Sequence, residues 1–453
     1  MNLHRLLLER ADAGAPVRVG LIGTGKFGSM FLAQALRTAG IHLMAVADLS
    51  AERARAALER TGWPAERTAA GSFADALSSG ATHVTEDSGA LIAADGLDIV
   101  IEATGNPAAG IRHALASARE GRHVVMVNVE ADALAGPLLA ERCREAGVVY
   151  SLAYGDQPAL ICEQVDWARA AGFQVVCAGK GTKYLPDYHR STPETVWEHL
   201  GMREDQVGDL NPQMFNSFVD GTKSAIEMAA VANACGLHPP SNGLGFPAAG
   251  VDDLAQVCRP ASDGGALEVK GTVEVVSSLE RDGSEVERDL RWGVYVTVEA
   301  ASDYVARCFD EYGLATDDSG RYTALYRPYH LIGLELGISV ASVALRGEPT
   351  GAPLGFAAAV VATAKRDLAP GETLDGEGGY MVYGTLVPAH MSTGRGWLPI
   401  GLAHGVELTR AVAAGEVLAS ADVRLDEGDE ATRVRRELEA IGYGRETTLA
   451  GAP

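Results

Sequence analysis

One stretch near the N-terminus restricts the fold more than any other. An apolar run, Val17 to Ile22, leads into Gly23-Thr24-Gly25-Lys26-Phe27-Gly28, and a helical pattern runs from Lys26 to Ala39. A GxGxxG turn is common by itself. Here it lies between a strand and a helix, and Asp48 follows about 20 residues beyond Gly28, at the end of a second apolar run, His42 to Ala47. That context predicts a dinucleotide-binding βαβ unit. Gly23 permits the tight turn, Gly25 lets a pyrophosphate approach the backbone, and Gly28 lets helix and strand close on each other. The helix N-terminus at Lys26 and Phe27 supplies amide donors and a partial positive charge. The plainer alternative is a cluster of turn glycines, with Asp48 capping a helix at Leu49-Ser50-Ala51. Asp48 as acceptor of the adenine ribose hydroxyls repels a 2′-phosphate and favours NAD(H), while Arg53 and Arg55 close behind leave NADP(H) open.

The pattern continues as a parallel sheet covered by helices. Strands are predicted at Leu97 to Glu102, His123 to Val129 and Val148 to Leu152, with helices at Ala108 to Glu120 and Gly136 to Ala146. Beyond about residue 156 the texture becomes mixed. Phe173 to Ala178 reads as a strand delivering the loop GKGTKYLPDYH, followed by a helix from Thr222 to Cys235 and strands at Leu267 to Val276 and Gly293 to Glu299. The apolar helix expected over Pro328 to Leu345 is buried, packing back on the first domain. Two similar strand-turn phrases, RDLAPGETLD and LTRAVAAGEVLASADV, suggest a small β-rich module. The class is α/β: a Rossmann domain over 1–155, an α+β substrate and oligomerisation domain over 156–327, the β-rich module over 354–427 and a partly helical, fraying tail over 428–453.

Composition narrows the function. Lys and Arg total 38 against 60 Asp and Glu, a formal charge of −22, which disfavours nucleic acid and anionic lipid as partners. No run approaches the roughly 18 to 20 apolar residues that span a bilayer. The six cysteines form no CxxC pair, and the Leu6-Leu7-Leu8 run is too short for a signal core, so a reducing, cytoplasmic setting is expected. No His, Cys or carboxylate cluster has metal spacing, and no metal is expected.

Several residues are candidates for the site. Thr104 and Gly105 end one strand and Asn128 and Glu130 end the next, where a nicotinamide ribose would lie; ordinary strand-to-helix turns and an exposed helix-start acid read equally from the same residues. Lys180 and Lys183 stand out in a lysine-poor chain as anchors for an anionic substrate or as proton carriers, against a pair of solvated loop lysines. Lys223 sits in the first turn of a helix, where the dipole disfavours a cation, and Asp220 is placed to orient it. The alternative is a capping Asp beside an exposed Lys. Arg327 and His330 are candidates for anion binding and acid–base work, His330 also reading as a packing or capping group.

The chain resembles the homoserine dehydrogenase-like oxidoreductases with a C-terminal SAF domain, the group that includes the DXR-like (1-deoxy-D-xylulose 5-phosphate reductoisomerase-like) enzymes. The resemblance rests on VRVGLIGTGKFGSM, VVMVNVEAD, AGKGTKYLPDYHRSTPETVW, FVDGTKSAIEMAAVANACGL and RPYHLIGLELGISVASVALRGEPTG, with RDLAPGETLDGEGGYMVYG similar to the SAF module. It implies hydride transfer with NAD(H) or NADP(H), a small polyhydroxylated anionic substrate such as a sugar phosphate or branched sugar acid, and a homo-oligomer, dimer or tetramer. Two departures point away from homoserine. Asn128-Val129-Glu130 stands where homoserine dehydrogenases carry an Asn-Lys pair, and Asp220 and Lys223 are one residue closer than their catalytic Asp and Lys. An amino-alcohol dehydrogenase and a dinucleotide-binding redox sensor or scaffold without turnover are the rival readings.

Overall fold

The computed structural model describes residues 2–208 and 210–442. Two compact units account for them, one of the described residues up to 160 with 331–352 and the other of those in 161–330 with 353–442.

In the first unit six strands form one parallel sheet in the order β3-β2-β1-β4-β5-β6. They are β1 (Val17–Ile22), β2 (Ile41–Ala47), β3 (His83–Thr85), β4 (Ile99–Glu102), β5 (His123–Met126) and β6 (Tyr150–Leu152). Such strands are apolar on both faces because helices cover both. Val17, Val19, Leu21, Ile99 and Ile101 point into one core with Phe31 and Leu32, and Met44 and Val100 into the other. The short β3 was not evident from the sequence, since three residues carry little periodicity. The strand order reverses between β1 and β4, where the ligand crevice of such sheets opens.

The apolar stretch after residue 328 is shorter as a helix than expected. Residues 328–336 form turns, and the helix is Gly337–Arg346. Leu336, Val340, Ala341 and Val343 complete the first core. Gly333 (φ 70°) explains the late start, because its left-handed backbone breaks a helix and the chain there passes close to the Phe27 carbonyl.

The second unit is built on a four-stranded sheet in the order β10-β9-β7-β8. Its strands are β7 (Gln174–Thr182), β8 (Thr272–Ser277), β9 (Val294–Glu299) and β10 (Tyr322–Arg327). β7 runs parallel to β8 and antiparallel to β9. The helix Thr222–Cys235, buried along most of its length, packs against β7, β8 and a further antiparallel pair, β11 (Ala358–Ala364) with β13 (Val382–Pro388). A second small pair joins β12 (Thr373–Asp375) to β14 (His404–Glu407). A helix Glu430–Gly442 follows, and the rest of the expected tail, 443–453, lies outside the described residues.

Candidate functional site

The glycine loop is built around its sterics. Gly23 adopts φ 101°, and a Cβ there would meet the Ala103 carbonyl oxygen at 2.5 Å, so the loop lies directly against the end of β4. A Cβ on Gly28 would meet the Gly23 carbonyl oxygen at 2.3 Å. At Gly25, the N-cap of the helix Lys26–Ala35, a Cβ would meet nothing within 4 Å. The space before the helix N-terminus is therefore open, as a pyrophosphate requires. Lys26 is exposed there, while Phe27 is half-buried against the sheet core.

Asp48 directly follows β2 and is buried, but its carboxylate is not idle. One oxygen accepts from the Thr24 amide at 2.8 Å and the Thr24 hydroxyl at 2.5 Å. The other pairs with Arg53 and accepts from the Ser50 amide at 3.3 Å. Burial pushes the Asp48 carboxyl up, but the hydrogen bonds from Thr24 and the Arg53 guanidinium outweigh it, and the acid sits below its ordinary range. The aspartate thus ties the glycine loop to the end of β2 and holds an arginine at the surface.

At the end of β4, the Thr104 hydroxyl donates to the buried Glu102 at 2.6 Å, and Glu102 also meets His113 at 3.1 Å. Gly105 turns the chain with φ 68°. Asn128 caps the helix Val129–Glu145 by accepting from the Ala131 amide, and its own amide donates to the Asn106 carbonyl at 2.8 Å. Glu130 is half-buried in the first turn of that helix.

In the second unit the structure corrects two expectations. Lys180 is not in a loop. β7 extends through Thr182 because Gly179 and Gly181 lie against the backbone of β8 and of residues 290–291, and Lys180 is buried in the strand, ion-paired with Glu227. Lys183, beyond the end of the strand, is half-buried and donates to the His199 carbonyl at 2.6 Å. Burial and the neighbouring Arg291 lower the affinity of the Lys183 amine for its proton, with Glu285 opposing.

Nor does the Asp220 carboxylate turn to Lys223. It accepts from the Thr222 amide at 2.9 Å and pairs with Lys365 at 2.8 Å, both side chains being almost wholly buried. Lys365 also donates to the carbonyls of Ser191 and Gly379. The Gly384 amide of β13 donates to the Thr222 hydroxyl. The β-rich module is thereby fastened to the first turn of the helix that carries Lys223. Lys223 itself is half-buried there. Just before that helix, His189 bonds through Nδ1 to the Asp220 carbonyl and through Nε2 to the Tyr184 hydroxyl. A carbonyl only accepts, so Nδ1 carries the proton and Tyr184 donates to Nε2. Burial holds the His189 ring toward its neutral form. Arg327 lies over the Tyr329 ring at 5.2 Å, and His330 bonds to the Trp292 carbonyl at 2.7 Å, which fits the packing reading of that histidine.

Two family models match the chain. Residues 17–127 match the oxidoreductase family with an NAD-binding Rossmann fold, and residues 155–336 match the catalytic domain of oxidoreductase DRL. These matches mark the chain as an NAD(P)-dependent oxidoreductase. No curated protein matches it. Solved structures that are similar include a biliverdin reductase from Synechocystis, 18% identical over 38% of this chain and 48% of that one, with a TM-score of 0.26. The oxidoreductase thus spans about half the length of that relative. A probable dehydrogenase from Thermotoga maritima is 15% identical over 74% of this chain and 90% of its own, with a TM-score of 0.38. A 1-deoxy-D-xylulose 5-phosphate reductoisomerase from Zymomonas mobilis is 19% identical over 48% and 57%, with a TM-score of 0.33.

Among the described residues of the oxidoreductase, no group of three or more His, Cys, Asp or Glu is placed to hold a metal ion, and no helix is long and apolar enough to cross a membrane. Glu227, His189, Tyr184 and Lys365 were not singled out in the sequence. Glu227 left a signal: it is the one acid in the otherwise apolar run SAIEMAAVANAC, and a charge inside a buried helix needs a partner.

Proposed function

We propose that the chain is a reductoisomerase or dehydrogenase of a small, polyhydroxylated, anionic substrate such as a sugar phosphate or branched sugar acid, DXR-like in its chemistry. The observation that carries this reading is the match of residues 155–336 to the oxidoreductase DRL catalytic domain, a segment that includes Lys183, Arg291 and Lys223. The bound dinucleotide supplies the hydride. Its pyrophosphate is taken by the open space at Gly25 and the amides of Lys26 and Phe27, with Thr104, Gly105, Asn128 and Glu130 lining the strand ends toward the nicotinamide ribose.

Lys183, with Arg291, holds the anionic group of the substrate. Lys223 gives the proton to the oxygen that becomes a hydroxyl on reduction, or accepts it in the reverse direction. In a reductoisomerase, rearrangement of the carbon skeleton precedes this step. Residues 1–155 act as the dinucleotide domain, 156–327 as the substrate and oligomerisation domain and 354–427 as the SAF-like module, in a cytoplasmic homo-oligomer.

The test is oxidation of NADPH or NADH by the purified protein with 1-deoxy-D-xylulose 5-phosphate, and reduction of NADP+ or NAD+ with a panel of branched sugar acids and with homoserine. Turnover with the first two classes supports the reading. Turnover with homoserine alone replaces it by the amino-alcohol dehydrogenase, and binding without any turnover by the sensor.

A further inference from the structure

All six cysteines are free thiols. Three are sealed in cores. Burial pushes the Cys143 thiol up to about 12 and raises that of Cys177 as well. Cys177 and Cys258, both fully buried, flank the Tyr295 hydroxyl at 3.4 and 3.3 Å. A thiol held protonated and away from solvent is inert.

Cys162 and Cys235 are placed differently. Their sulfurs lie 3.6 Å apart although the residues are 73 positions apart in the chain. Cys162 stands on the helix Gln157–Ala170 and is partly exposed, while Cys235 is the last residue of the helix Thr222–Cys235 and is buried. A second contact fixes the pair. Arg169, two turns on from Cys162 and on the same helix face, donates to the Cys235 carbonyl at 2.7 Å. That carbonyl is one of those that a helix C-terminus leaves without an intrahelical partner, so the bond anchors the end of the helix beside Cys162. A disulfide needs its sulfurs about 2 Å apart. The remaining approach of roughly 1.5 Å is a matter of side-chain rotation.

We propose that Cys162 and Cys235 form a reversible disulfide when the protein meets a hydroperoxide, Cys162 being oxidised first and Cys235 resolving it. With hydrogen peroxide, the Cys162 thiolate attacks one peroxide oxygen and the O–O bond breaks. Hydroxide leaves, takes up the proton the thiol lost, and Cys162 becomes a sulfenic acid. The Cys235 thiol then attacks the Cys162 sulfur, the S–O bond breaks, and a second water leaves with the Cys235 proton. Two thiols have given up two electrons and two protons, and one peroxide has become two waters. A small dithiol reverses the bond by exchange and ends as a disulfide itself. The cross-link ties the helix that precedes β7 to the far end of the helix whose first turn carries Lys223.

The experiment needs no substrate. The reduced full-length protein is treated with hydrogen peroxide, remaining thiols are alkylated after denaturation, and the peptides are mapped by mass spectrometry without reduction. A peptide pair joining Cys162 to Cys235 is expected, two hydrogens lighter than the reduced peptides and released by dithiothreitol. In Cys235→Ser, Cys162 should stop at the sulfenic acid and be captured by dimedone several-fold more than in the parent. In Cys162→Ser, Cys235 should stay a thiol. No linked pair at a peroxide concentration that oxidises the partly exposed Cys308 overturns the proposal. Unchanged dimedone capture in Cys235→Ser overturns it too, as does oxidation of Cys235 in Cys162→Ser to the extent seen in the parent. Should Cys235→Ser not fold, the peptide maps of the parent and of Cys162→Ser decide.

Discussion

At the end of β2 the Arg53 guanidinium and the Asp48 carboxylate form an ion pair, with Thr24 hydrogen-bonded to the carboxylate's other oxygen. An aspartate at this point ordinarily accepts from ribose hydroxyls and rejects a 2′-phosphate. Here it also holds, at the same place, a cation that a 2′-phosphate would meet. Arg53→Met is therefore expected to weaken NADP(H) binding about tenfold or more and leave NAD(H) nearly unchanged, by calorimetry. Asp48→Ala should weaken both, because the loop at Thr24 loses its tether. Equal losses for the two cofactors in Arg53→Met would mean that Arg53 only braces Asp48.

Gly25→Val separates binding from folding. The Cβ at Gly25 meets nothing, so the melting temperature should hold within a few degrees while dinucleotide affinity disappears. Gly28→Val should fail to fold, since its Cβ strikes the Gly23 carbonyl. A folded Gly25→Val protein with full NADPH affinity would sink the assignment of this loop.

For the reaction itself, Lys223→Met should lower turnover by about 10² to 10⁴-fold with little change in cofactor affinity. Lys183→Met should act chiefly on KM, because an anchoring cation contributes to ground and transition states alike. Steady-state kinetics on the substrate identified by the panel decides both, and a reversed pattern would exchange their roles.

Removing Lys365 leaves the Asp220 charge buried without its counter-ion. Lys365→Met is expected to cost about 3 to 5 kcal/mol in thermal or urea unfolding, and the double variant Asp220→Asn/Lys365→Met should recover much of it. If the single variant melts like the parent, the pair does not fasten the module as described.

Two buried acids should each take stability away as the solution turns from acid to neutral. Asp132 is fully buried, its Oδ1 accepting from the Tyr150 hydroxyl at 2.8 Å, and burial pushes its carboxyl from 3.8 to about 7. Glu274 is pushed up to about 7 for the same reason. Between pH 4 and 7 the folded state keeps protons that the unfolded chain gives up. Each group therefore destabilises the fold progressively as pH rises through that window, by roughly 4 kcal/mol in all for Asp132. Asp132→Asn should flatten that part of the melting-temperature profile. An identical slope in parent and variant would show that Asp132 is ionised in the folded protein.

The Rossmann half was legible because its information is local. Apolar strands that end at small residues, a GxGxxG turn and an acid at the next strand end are all set by backbone sterics and burial within some thirty residues, and β1 and the helix Thr222–Cys235 begin and end where the periodicity places them. The partners of buried charges were not legible. Sequence proximity paired Asp220 with Lys223, but folding brought Lys365 from a distant segment to Asp220, and the pairing of β7 with β8 and β9 drew Lys180 out of a supposed loop to meet Glu227. The amino-acid sequence by itself determined that this protein binds a dinucleotide on a parallel sheet, because glycine geometry and apolar periodicity leave little choice. Which lysine is neutralised and which carboxylate is spoken for was decided by the tertiary structure alone, because a buried charge is satisfied by whatever packing brings within hydrogen-bond reach, regardless of its distance along the chain.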